Sequence, residues 1–104
     1  MKTRYEITMD YNRVMSMTSE LESLGESFRR VAAEQSRDAI RNLGGSWQGE
    51  NYSAFMRKAE TALDDANEIA EFICNMARQI RSNARYVYNA EMEAVRLAEE
   101  RNYR

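Results

Sequence analysis

The sequence has 104 residues, room for one domain but not for a catalytic and a regulatory module side by side. Hydrophobic residues make up 43% of it and charged ones 31%, too apolar for disorder by composition. The net charge is -2, with acids and bases interleaved, so no basic stripe exists to neutralise phosphates and nucleic-acid binding is not expected. The longest apolar run is only a few residues, which argues against stable insertion in a membrane.

The chain opens on Met1-Lys2-Thr3-Arg4-Tyr5-Glu6-Ile7, with charges where a signal peptide would need its apolar region. Any export is therefore expected to use a route independent of such a peptide. With no proline and only four glycines, the residues that punctuate strands and loops are scarce, and long helices are favoured. From Val14 the apolar positions step by three and four through Met17, Leu21, Leu24, Phe28 and Val31. The next step falls on Gln35, and the pattern resumes out of phase at Ala39 or Ile40 and Leu43, as at a heptad stutter. Asp10 or Thr8 can cap the start, and Gly44-Gly45 can supply the left-handed residue that ends a helix. These signals predict helix one over residues 10–43 and a turn over 44–49. Gly25 and Ala32 lie on its flank, where small side chains permit close helix approach; Gly25 costs about 1 kcal/mol of helix propensity, so either packing requires it or it is merely tolerated.

Within the turn, Gly44-Gly45-Ser46-Trp47-Gln48-Gly49-Glu50, stands the only tryptophan of the chain. Its ring either seals the end of a hairpin core or offers an exposed aromatic anchor to a partner. Gly49 lets the backbone turn. Helix two is predicted over residues 50–101. There Phe55, Ala59, Ala62, Ala66, Ile69, Ile73, Met76, Ile80, Asn83, Val87, Ala90, Ala94 and Leu97 alternate four and three, the 3.5-residue period of left-handed helix packing. A neighbouring column, Met56, Leu63, Ala70, Ala77 and Ala84, widens the stripe beyond what one partner helix covers. A bundle of four helices is the simplest consumer of that face. Leu21, Leu24, Phe28, Val31, Phe55, Ile69, Ile73, Met76 and Ile80 are the expected core of hairpin and dimer.

Folding back at the turn pairs helix one with residues 50–84 or so. The tail over 84–104 is then expected to fray or to wait for a partner, residues 1–9 being its sole intrachain candidates. Cys74, the single cysteine, follows Ile73 at an outward position and reads as a bystander. Without histidine no Ser-His-Asp or Cys-His arrangement can form, and no cysteine cluster offers a zinc site. Asp64 and Asp65 are adjacent, so they point to different sides of a helix and make a poor catalytic pair. Neither catalysis, nor a cofactor, nor a metal is expected.

Trp47-Gln48-Gly49, midway between two heptad helices in about a hundred residues, resembles the WXG family of ESAT-type proteins. Phe55, six residues after Gly49, matches the family's W-x-G-x-x-x-x-x-F pattern, and the resemblance covers essentially the whole chain. It implies a single all-α domain over 1–104: an antiparallel two-helix hairpin that dimerises, with itself or a paralogue, into a four-helix bundle. It also implies export by a type VII (Esx) secretion system, and thus secretion without a signal peptide after a cytoplasmic stage. A family export signal, Y-x-x-x-[DE], is read by the export ATPase together with the partner's W-x-G turn. This sequence departs from it: four residues after Tyr86 stands Ala90, and after Tyr88, Met92. Tyr88 and Glu91 share a helical face, and Val87, Glu91, Ala94 and Ala98 meet a looser form. Tyr86, Val87, Tyr88 and Glu91 are therefore the candidate export signal. Two other roles fit: an intracellular chaperone or adaptor for the helical N-terminal domain of a larger toxin, and a plain coiled-coil oligomerisation module.

Overall fold

The computed structural model describes residues 1–44 and 49–102, which form two α-helices with no strand among them. α1 spans Arg4–Gly44 and α2 spans Glu50–Asn102. This all-helical pair agrees with the expected hairpin class.

Thr3 sets the start of α1. Its Oγ1 accepts the backbone N–H of Glu6 at 3.2 Å, and its hydroxyl donates to Glu6 Oε1 at 3.3 Å. The Thr3 carbonyl accepts the Ile7 N–H at 3.0 Å. Thr3-Arg4-Tyr5-Glu6 thus has the sequence of a capping box and its first bond, side-chain oxygen to the Glu6 N–H, while the Glu6 carboxylate takes the Thr3 hydroxyl and lies favourably in the first turn. The helix starts here rather than at Asp10 or Thr8. Replacing Thr3 with alanine is expected to cost about 1 kcal/mol, lowering a thermal melt by about 4–8 °C; an unchanged melt would mean that the cap is idle.

At the start of α2, the Gly49 carbonyl accepts the Ser53 N–H at 3.1 Å. Gly49 has φ +100°, a backbone region closed to most side chains, so glycine is needed where the chain enters this helix. The remainder of the turn motif, Trp47 included, lies outside the described residues.

The chain packs as two compact units, one of Met1–Leu21 with Asn75–Arg104, the other Glu22–Cys74. In the first, Arg4 meets Glu99 and Tyr11 meets Tyr88, so the two stretches run antiparallel. Its core is Ile7, Ala77, Val95 and Thr18, whose buried hydroxyl donates to the Met15 carbonyl at 2.7 Å. The second unit closes on Ala66, Ala70 and Cys74, with Gly25 buried against them. A Cβ on Gly25 would stand 3.0 Å from Cys74 Sγ and 3.2 Å from the Ala70 carbonyl oxygen. Gly25 is therefore there for close approach.

Two expectations are corrected. The end of α2 beyond Asn83 is not left without an intrachain partner: it is helical to Asn102, and Lys2 and Arg4, at the opening of α1, pair with Glu91 and Glu99 on it, the one candidate the sequence offers. Cys74 is not outward but buried, its Sγ 3.9 Å from the Glu22 carbonyl oxygen and 3.6 Å from Glu26 Oε1. It faces inward because the buried row of this unit, Ala66, Ala70 and Cys74, advances four residues at a time.

Candidate docking surface

The small size of the buried residues decides what is left outside. In the Glu22–Cys74 unit, alanines, a glycine and a cysteine bring the helices together, and the large apolar side chains stay on the flanks. Leu24 is 59% exposed, Phe28 40% and Val31 44% along one face of α1; Ile69 is 49% and Phe72 66% exposed on α2. Of the residues expected to form the core of hairpin and dimer, Leu21, Phe55 and Ile73 are half-buried. Leu24, Phe28, Val31, Ile69, Met76 and Ile80 are exposed in the single chain. Clusters of exposed leucine, phenylalanine and isoleucine of this kind mark interaction sites in stable proteins.

The second constellation lies inside the unit of Met1–Leu21 and Asn75–Arg104. The Tyr11 and Tyr88 rings sit 4.7 Å apart between centroids and tilted by 40°, within the favourable range for aromatic pairs. Lys2 Nζ lies 2.9 Å from Asp10 and 3.4 Å from Glu91. Arg4 grips Glu99 with two donors, Nε at 3.0 Å and Nη2 at 2.7 Å. Between these groups runs a groove of about 340 Å³, lined by Ile7, Tyr11, Val14, Ile80, Ala84 and Val87 among others. Of the candidate export residues, Tyr88 and Glu91 are held by these contacts, Val87 lines the groove and Tyr86 is turned fully outward.

The charges respond as the geometry requires. The Arg4 hydrogen bond holds Glu99 below the ordinary carboxylate value of 4.5, and Asp10, then Glu91, raise Lys2 above 10.5. Farther along α2, Arg96 lowers Glu93 in the same way. Glu99, with its pKa depressed, adds stability that is present above its unfolded pKa and lost as pH falls through the folded one. Following Glu99 by NMR should show titration below 4.5 in the native chain and a return towards that value in Arg4→Gln; identical curves would dissolve the pair.

Lys2, Arg4, Tyr11 and Glu99 belong to this site and the periodicity does not find them. Two signals would have shown that a helix with an inward residue begins there, the Thr3-x-x-Glu6 box and Ile7, one heptad ahead of Val14; none would have paired these residues with Glu91 and Glu99. Among the described residues no group of three or more His, Cys, Asp or Glu could hold a metal ion, and no helix is long and apolar enough to cross a membrane. No protein-family model, curated protein or solved structure matches the chain.

Proposed function

We propose that this chain is a non-enzymatic docking protein of WXG type, exported by, or acting as targeting partner in, a bacterial type VII (Esx) secretion system. The observation that carries the docking role is the apolar face left open in the Glu22–Cys74 unit, above all Leu24, Phe28 and Phe72. In this reading a second copy, or a paralogue of the same build, covers that face, and the two chains form a four-helix bundle. The WXG part rests on Trp47-Gln48-Gly49, placed in sequence between the two helices, and on Phe55 in the first turns of α2. Tyr86, Val87, Tyr88 and Glu91 then present the export signal to the ATPase. Disabling that ATPase in the producing cell should remove the protein from the culture supernatant; undiminished export would reject the secretion role.

One observation favours a second role, that of adaptor for a larger toxin. Tyr88 and Glu91 are engaged by Tyr11 and Lys2 of their own chain, so the signal they would form is partly occupied. An adaptor would stay in the cell while its toxin depends on it. Deleting the gene would then abolish export of the toxin, although the chain itself never reaches the medium.

A further inference from the structure

We propose that residues 1–14 act as a releasable strap over the end of α2, so that Tyr88 and Glu91, partly covered by it, become fully accessible when it lifts. The purpose of such a strap rests on the docking role proposed above; its mechanics do not.

The strap has one deep anchor. Ile7 is 2% exposed; Tyr11, half-buried, stacks on Tyr88, and the remaining polar attachments, Lys2 to Glu91 and Arg4 to Glu99, are made by side chains that stay about half in solvent on the strap's side. Water and salt compete with such pairs. Two open grooves border the segment. The apolar groove already described is lined by Ile7, Tyr11 and Val14 on its side. A polar groove of about 510 Å³ lies beside Asn12, Met15, Ser16 and Ser19, against Arg81 and Arg85.

The end of the strap is marked as well. After Ile7 the next fully buried side chain of α1 is Thr18, a polar residue whose hydroxyl donates to the Met15 carbonyl at 2.7 Å. Back-bonding of this kind slightly destabilises a helix, so the strap is taken to end before Met15–Thr18. Lifting residues 1–14 uncovers Tyr88, Glu91, Val95 and Glu99 together. It also leaves the end of α2 a lone helix, which is marginal in water.

Hydrogen exchange on the full chain tests this, together with hydroxyl-radical footprinting of Tyr88 against the outward Tyr86. Amides over 5–14 and 88–99 should exchange at one shared rate, about tenfold or more faster than those over 62–77. The double variant Lys2→Gln/Arg4→Gln, and raised salt, should speed both segments severalfold and bring Tyr88 towards the reactivity of Tyr86, with 62–77 unchanged. Ile7→Ala should do so more strongly; should it fold poorly, the double variant still decides. Exchange of all three segments at one rate, or indifference to both the double variant and salt, would overturn the strap. Failure of export in the living cell would remove the secretion role and leave these rates as they are, so the two fail separately.

Discussion

Replacing Gly25 with leucine should lower the melting temperature by about 10–20 °C, the largest loss expected from any single addition to this molecule. The reason is the space at that position. Even the first carbon of a side chain meets Cys74 Sγ at 3.0 Å, the Ala70 carbonyl oxygen at 3.2 Å and Ile73 Cγ2 at 3.2 Å. The carbonyl is backbone and cannot swing aside, so a larger group must push α2 away and open the row of Ala66, Ala70 and Cys74. Overpacking of this kind costs about 1–3 kcal/mol, occasionally more. Alanine is the informative intermediate. It regains about 1 kcal/mol of helix propensity and loses a similar amount to the clash, so its melt should move little. Because one of the three contacts is to sulfur, Gly25→Ala with Cys74→Ala should be more stable than the two single changes added together. A non-additive gain is what two touching residues give. Strict additivity would mean that the helices do not approach closely at Gly25.

Phe28→Glu should do the opposite: leave the fold and remove the association. Phe28 is 40% exposed in the single chain, and glutamate is a better helix former than phenylalanine, so the helical signal of the dilute protein should be kept. In a symmetric dimer each substitution occurs twice, and it puts two carboxylates where apolar rings are expected to meet. With an interface anchor worth about 2 kcal/mol or more per side, self-association should weaken about a thousandfold. Sedimentation of native and variant protein across a concentration series reads this directly. A variant that unfolds would move Phe28 into the core of the chain itself, and one that associates normally would place the interface elsewhere.

The two helices were legible in the sequence because no proline and few glycines interrupt them, and because apolar residues recur with a helical period. Which face turns inward was harder to read. The 3.5-residue series through Ile69, Ile73, Met76 and Ile80 is the conspicuous one, since its members are large. Yet the buried positions of the second unit are Ala66, Ala70 and Cys74, and those of the first include Ala77 and Val95. A 3.5 series drifts about 20° per heptad around an α-helix, and small residues let the backbones close where large ones would hold them apart. Size therefore misleads about burial in this chain: alanine marks the seam, and isoleucine and phenylalanine mark what lies beside it. At the beginning of α1 the obstacle was different. Lys2, Arg4 and Glu6 read as a solvated charged end, and only pairing Thr3 with Glu6, and Ile7 with Val14, reveals a capped helix with an inward residue. The contacts of Lys2 with Glu91 and Arg4 with Glu99 join residues about ninety positions apart, which no local pattern encodes.

The central claim, in its simplest form, is that the exposed apolar side chains are covered by a second copy of this chain. Light scattering of the pure native protein at about 10 μM, where an association of micromolar strength is already populated, tests it most directly. The account predicts a mass of twice 12.2 kDa. A stable, fully helical species of 12.2 kDa at that concentration, melting sharply and independently of dilution, would contradict it.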